Sequence, residues 1–400
     1  MANEVKKITR KNWTSRFNLV GRPKLGDYTF KMDEHSNKSS WIYNSMNLCL
    51  DCGEKFGNCY SSMMGGYSPE RATTLYAHGK DENGRDDFGI RMEIDWDDRF
   101  DEGLLDKVGD MNFIKVGLER DVRGQTVIKR FLSPYDAIEY IHNNLTEDMV
   151  VNVSGNLRYS TYNDHVTINK DITSIYLSRV EDPKDFHASF TQSVIIDKES
   201  CNTKDIDKDT GIMPIDVIVL DYIKEFNGHE IRGQWPYHMN MEYQFDLSDK
   251  DKVKKIYEKL FKVKKGYTQI TFDGEFVSNG GTVTPTIDDI PEDIRSLIGI
   301  VYTEEEALEQ CATNANRENH MFLKRPSIFM VTDPNNPDNK NAVLQMFPEH
   351  YTEDELDMSW AYADDVDDED EDDDIPFGND ENDEGGNTGD DDDWLSMLGD

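Results

Sequence analysis

A helix followed by an alternating strand with a glycine at its centre occurs twice in this 400-residue chain, and this repeat limits the possible folds more than any other feature. Ser133 as N-cap, Pro134 at the first helical position and Asp136 in the first turn open one helix, whose Ala137, Ile138, Ile141 and Leu145 share a face. Ser248, with Asp249 and Asp251 behind it, opens a second. There Val253, Ile256, Tyr257, Leu260 and Phe261 recur at helical spacing, and Gly266 closes the segment. The strands that follow, residues 149–160 and 267–278, match in type from Val151-Asn-Val-Ser-Gly155-Asn-Leu to Ile270-Thr-Phe-Asp-Gly274-Glu-Phe. Glycine inside a strand marks a bulge or a tight bend of a curled sheet. The repeat predicts two related domains, residues 1–182 and 183–350.

Strand-like segments precede each helix: 17–31, 41–52, 57–65, 88–96, 111–118 and 126–132 before the first, and 187–197, 214–226 and 230–246 before the second. Residues 171–178 supply a closing strand for the first domain. Several strands, one helix and then a bent strand is the element order of the OB-fold, a five-stranded Greek-key barrel that binds oligonucleotides. The expected class is mainly β with a few helices: tandem OB-fold-like barrels followed by a disordered acidic tail, with helical content in the C-terminal part of the second domain. A generic α+β domain without closure is the plainer competitor. A third helix is predicted from Thr303, with Glu306 completing a capping box.

The tail is residues 351–400. It holds 23 of the 81 acidic residues and no Lys or Arg, whereas the first 50 residues carry nine Lys or Arg against four acids. Too few apolar groups remain there to offset the entropy of ordering, so disorder is expected from about residue 355. Two apolar knots interrupt the carboxylates, Ile375-Pro376-Phe377 and Trp394-Leu395-Ser396-Met397-Leu398. A tail built only for solubility has no use for them. Five cysteines, an odd number, fit reduced thiols better than a disulfide frame. The basic N-terminus has no signal-peptide apolar stretch, and no apolar run reaches the length that spans a bilayer. A cytoplasmic protein without membrane partners is expected.

Binding a single strand without sequence preference requires cations along the phosphates and aromatic rings under the bases. The chain interleaves both types: Arg16, Phe17, Lys24, Tyr28, Lys31, Trp41 and Tyr43; then Lys55, Phe56 and Tyr60; then Lys129 and Arg130; then Arg158, Tyr159 and Tyr162; and in the second half Arg232, Trp235 and Tyr237. Strand alternation sends every second side chain inward, so about half of the rings belong to the core.

Asp372-Asp373-Asp374-Ile375-Pro376-Phe377 resembles the acidic tip of bacterial single-stranded DNA-binding proteins, and residues 155–178 are more loosely similar to the late barrel strands of that family. The resemblance implies OB-fold cores, single-stranded DNA as ligand, and no catalysis. It also implies a tip that docks on replication, recombination and repair proteins, with Pro376 and Phe377 in an apolar pocket and the carboxylates held by basic residues. A divergent bacteriophage type, larger than its bacterial counterparts, suits the length. One departure is clear: 23 residues follow Phe377, where the family's phenylalanine is terminal. The actual end repeats acids followed by apolar residues, with Trp394, Leu395 and Leu398 as anchors.

Rival chemistry is weaker. Cys49, Cys52 and Cys59 with His35 or His78 could make a zinc site, but strand alternation would point Cys49 and Cys52 to opposite faces. Asp205 to Asp216 imitates a calcium loop, yet Thr210 stands where the glycine belongs and the closing Glu is missing. Glu93, Asp95, Asp97 and Asp98 could hold a nuclease metal, but an exposed strand end explains them equally. No phosphate-binding glycine loop or nucleophile turn is present, and no cofactor is expected. Two alternative functions remain at this stage: an acidic chaperone or DNA mimic that binds a basic partner, and a metal-dependent nuclease.

Overall fold

The computed structural model describes residues 8–162, 165–227, 229–279, 282–283, 290, 292–303, 313–314, 318–333 and 336–361. Compact packing extends to Met358; of the unit that begins at Ser359, only the short turn Ser359–Ala361 is described. Among the described residues, no helix is long and apolar enough to cross a membrane. The fold is mainly β with a few short helices.

The N-terminal half contains β1 (Ser15–Lys24), β2 (Phe30–His35), β3 (Ile42–Asp51), β4 (Asn58–Tyr67), β5 (Thr74–Lys80), β6 (Asp86–Asp95), β7 (Ile114–Arg120), β8 (Thr126–Phe131), β9 (Val151–Tyr162) and β10 (His165–Leu177). Hydrogen bonds run β1–β3–β4–β10–β9 and back to β1. Burial alternates along β3, where Asn44, Met46, Leu48 and Leu50 face in. The helix Pro134–Asn144 sits between β4 and β9 in sequence and buries Ala137, Ile138 and Ile141. Ser133 caps it, as its sequence predicts.

The C-terminal half repeats this order with β11 (His187–Ile196), β12 (Ile212–Phe226), β13 (His229–Gln244) and β14 (Tyr267–Asn279). Short β15 (Thr282–Val283) and β16 (Thr313–Asn314) pair with each other, and β17 (Glu318–Pro326) follows. The second path runs β11–β12–β13–β17–β14 and back to β11. Its helix, Lys250–Ile256, is capped by Asp249 rather than Ser248 and continues as a π-helical turn through Phe261. The chain then adds the hairpin β18 (Ile328–Asp333) and β19 (Asn336–Leu344), the edge strand β20 (Met346–Tyr351) and a boxed helix Glu353–Leu356. That helix lies at the start of the segment for which disorder is expected. Residues 362–400, and the predicted helix after Thr303, lie outside the described residues.

Both paths have OB strand order, but each has thin seams. β4 meets β10 at the single pair Ser62↔Asp171, β11 meets β12 only at Ile195↔Ile218, and β13 meets β17 at two pairs. The expected barrels are therefore rings of five strands with narrow closures rather than fully zipped cylinders. The rings join edge to edge, because β1 pairs antiparallel with β11 from Ser15↔Gln192 to Val20↔His187.

The register places the two glycines. Phe17 lies opposite Gly155 on one side and Phe190 on the other, and Phe190 in turn lies opposite Gly274. A Cβ at Gly155 would sit 1.8 Å from the Asp171 carbonyl oxygen and 2.9 Å from the Phe17 ring; one at Gly274 would sit 2.1 Å from the Phe190 ring and 2.6 Å from the Phe322 carbonyl oxygen. Gly155 pairs with Ile172 and Gly274 with Leu323, so Asp171 and Phe322 occupy equivalent places. Each glycine admits the phenylalanine of its ring's first strand.

Two strand segments have causes that a linear reading misses. The expected 17–31 strand breaks into β1 and β2 at a turn closed by Thr29 N–H on the Gly26 carbonyl. The hairpin β5–β6, with a small core of its own at Ile94, Val108 and Phe113, is inserted after β4.

Gly155→Ala and Gly274→Ala are each expected to cost at least about 2 kcal/mol, because the clash is with backbone or a buried ring rather than a flexible tip. Urea unfolding of each variant checks this, with Gly26→Ala, where a Cβ meets nothing within 4 Å and φ is not left-handed, as the comparison.

Candidate nucleic-acid interface

In an OB-fold the second and third strands, with the loops after the first and fourth, form the ligand face. In the first ring these are β3, β4, residues 25–41 and the β9–β10 connection. The outward side of β3 carries Tyr43, Ser45, Asn47 and Cys49, opposite Gly66, Met64, Ser62 and Tyr60 of β4. Lys31 of β2 joins the same row through its pairing with Ser45. Trp41 and Tyr43 stack with centroids 4.8 Å apart and planes 15° apart, Tyr60 is exposed, and Tyr28 is 85% exposed. Lys24 borders the face and is held by Asn58 at 2.8 Å and Asp51 at 3.3 Å.

Local chemistry fixes this surface. Asn44 is buried and spans two elements: its Oδ1 accepts from the Asp33 N–H, and its Nδ2 donates to the Tyr135 carbonyl at the helix start. Asp33 adopts a left-handed φ of 54° at the β2 bulge, and the Tyr135 hydroxyl donates to its carboxylate. Burial and that bond push the Tyr135 phenol above its ordinary range. The Ser36 N–H on the Trp41 carbonyl closes the β2–β3 turn, beside which the Trp41 ring stacks on Tyr43.

Other residues expected to meet a nucleic acid have different places. Phe17, Phe56, Tyr159, Trp235 and Tyr237 are all buried and offer no ring face to a base. Phe17 lines the joint between the rings, and Trp235 stacks on Phe226 at 4.2 Å. Tyr159 lies 6.2 Å from Tyr237 across the ring boundary, and its hydroxyl donates to Gln192 Oε1. Lys55 bonds Glu275 of the second ring at 2.9 Å. Arg158 reaches Asp221 at 3.0 Å and Asp171 at 3.5 Å. Arg232 pairs with its neighbour Glu230. Arg16 is exposed on β1, at the end that pairs with Asn156 of β9 and Thr191 of β11 rather than with β3, and Lys129 and Arg130 are exposed on β8, which pairs with β7. The Arg130 guanidinium lies over the Phe113 ring at 4.8 Å. The side chain of Tyr162, and all of Asp372 to Phe377, Trp394, Leu395 and Leu398, lie outside the described residues.

Asp221, on β12, is the residue that sequence reading missed. Only 2% exposed, it accepts from Arg10 Nη2 at 2.8 Å, Arg158 Nη1 at 3.0 Å and the Tyr159 N–H at 2.9 Å. It thus joins the N-terminal arm, β9 of the first ring and β12 of the second. Burial lowers the Arg10 guanidinium below its usual value, and Asp221 opposes that shift. An isolated aspartate in an apolar run, Ile218-Val-Leu-Asp221, was its only sequence signal.

The cysteines divide as strand alternation requires. Cys49 is on the outer face opposite Tyr60, whereas Cys52 and Cys59 are buried and hydrogen-bonded to each other. That bond raises the Cys52 thiol and lowers Cys59. Among the described residues, no group of three His, Cys, Asp or Glu side chains could hold a metal ion. The zinc alternative at Cys49, Cys52 and Cys59 has no geometric support there.

A protein-family model described as YorF matches residues 124–232, from the β7–β8 turn into β13. No curated protein matches. Two solved structures of the single-stranded DNA binding protein from Thermus aquaticus are similar, a deletion mutant at 9% identity and the wild type at 7%. Each has a TM-score of 0.32 and covers 79% of this chain, and the matches take in 94% and 93% of those chains. A likeness at that score defines neither fold nor function; the OB strand order rests on the ladder registers given above.

Removing the Asp221 carboxylate leaves the buried Tyr159 N–H without its acceptor and takes one acceptor from each of two guanidinium groups, Arg10 keeping the Leu220 carbonyl and Arg158 keeping Asp171. Asp221→Ala is expected to cost roughly 2–3 kcal/mol, short of the fully buried case because Arg158 keeps half its side chain in water. Chemical denaturation measures it, and Arg158→Ala, which leaves only an exposed partner missing, should cost less than about 1 kcal/mol.

Proposed function

We propose that this protein binds single-stranded DNA without sequence preference through the β3–β4 face of its first ring, and that it catalyses no reaction. One observation carries the reading: an OB-ordered ring presents Trp41, Tyr43 and Tyr60, with Lys31 in the same row, on the strands that bind oligonucleotides in that fold. Rings at strand spacing tolerate any base, because every base has a π face, and cations follow the phosphates. Tyr28, exposed in the loop after the first strand, adds a further ring to the same surface.

The acidic tail completes the proposal. Its carboxylates compete with phosphates for the same cations, so a long strand displaces the tail and frees it for partners. The tip Asp372-Asp373-Asp374-Ile375-Pro376-Phe377, or the terminal Trp394, Leu395 and Leu398, then recruits enzymes of replication, recombination or repair. This role rests on the charge split of the sequence and on the tip resemblance.

Titration with fluorescent oligo-dT at several salt concentrations tests both parts. Affinity should fall with salt by about 0.7 log units per log unit of salt for each phosphate contact. Trp41→Ala or Tyr60→Ala should each lose about 1–3 kcal/mol of binding. Truncation after Ala361, which spares β20 and its helix, should raise affinity at low salt and change it little at high salt. Absence of binding to oligo-dT would overturn the reading, and equal low-salt affinity with and without residues 362–400 would remove the competition.

A further inference from the structure

The two rings share their ladder register so closely that their ligand faces can be compared position by position. Phe17 and Phe190 are equivalent, as are Gly155 and Gly274. The same offset equates Arg22 with Ile195, and hence Asp51 with Ile218. An independent junction agrees: Ser62 meets Asp171 at the first seam, and Glu242 meets Phe322 at the second. The pair Cys49↔Tyr60 therefore corresponds to Asp216↔Asn240, and Asn47↔Ser62 to Pro214↔Glu242.

The substitutions change the chemistry of the face. The exposed Tyr60 ring is replaced by an exposed amide, Asn240, whose partner Asp216 is exposed. Glu242 occupies the place of Ser62 and bonds His320 Nδ1 at 2.9 Å. The loop after the first strand changes in the same direction. Residues 25–41 hold Tyr28, Phe30 and Trp41, whereas residues 197–211 hold no aromatic residue and five acids against three lysines.

We infer that the chain carries one single-strand site, on the first ring, and that Asp216 and Glu242 exclude nucleic acid from the corresponding face of the second. This rests on the proposed function and adds to it the number of sites and the residues that set that number. Stacking is lost where Tyr60 becomes Asn240, and a phosphate on the second face would meet the Asp216 and Glu242 carboxylates where the first face has the neutral Cys49 and Ser62. The second ring acts as a built-in partner: it holds the first through β11, Lys55–Glu275 and Asp221.

The test uses the full chain and oligo-dT of about ten nucleotides, within the roughly 4–16 that one OB face accommodates. Titration at low salt, with protein far above the dissociation constant, should saturate at one oligonucleotide per chain. Tyr60→Ala should weaken binding at least fivefold, whereas Asn240→Ala at the matching place should change it less than twofold. Saturation at two per chain, or an equal loss in Asn240→Ala, would overturn the single-site inference while leaving strand binding intact. No binding by the native chain would overturn both. The stoichiometry is read on the native protein, so it does not depend on either variant folding.

Discussion

Six residue pairs between β1 and β11 hold the architecture together. They convert two five-stranded rings into one continuous sheet in which Gly155, Phe17, Phe190 and Gly274 lie in a row across four strands. Phenylalanine on both central strands requires glycine on both outer ones. Sheet pairing also buries polar side chains, among them Gln192 and Ser193 of β11, which find partners across the joint. Gln192 Oε1 accepts from Ser15 and Tyr159, its Nε2 donates to the Ser193 carbonyl, and Ser193 Oγ bonds Thr271. The N-terminal arm is fastened to the second ring as well, by Arg10 on Leu220 and Asp221 and by Lys11 on the His350 carbonyl.

Such an arrangement lets one copy of a repeat change while the other keeps its face. The hydrophobic interior and the glycine positions are held in both rings by the same close approaches. The outward side of β12 and β13 has no such constraint, and there Asp216, Asn240 and Glu242 stand at the places of Cys49, Tyr60 and Ser62. The second ring is needed whether or not it touches a ligand, since it covers Tyr159 and supplies the carboxylate for Arg10 and Arg158.

Much of this was legible in the sequence because it depends on local rules. The Ser133-Pro134 cap, the alternation along β3 and the matched glycines each depend on contacts near in the chain or on a repeated pattern. The opposite facing of Cys49 and Cys52 followed from alternation alone. What stayed hidden depends on the other ring. Arg158-Tyr159 reads as a basic–aromatic pair until Asp221, 63 residues away, is brought against it. Tyr237 and Trp235 read as stacking rings until β12 and the neighbouring elements bury them. Asn44 gives no sequence signal, because its value lies in joining the β2 bulge to a helix that begins 90 residues later.

The claim that a single strand lies along Trp41, Tyr43 and Tyr60 is tested most directly by photo-crosslinking the full chain to a thymidine-analogue oligonucleotide and mapping the modified peptides by mass spectrometry. The account predicts crosslinks within residues 25–66 and in the β9–β10 connection. Crosslinks concentrated in residues 212–244, or spread evenly over both rings, would contradict it.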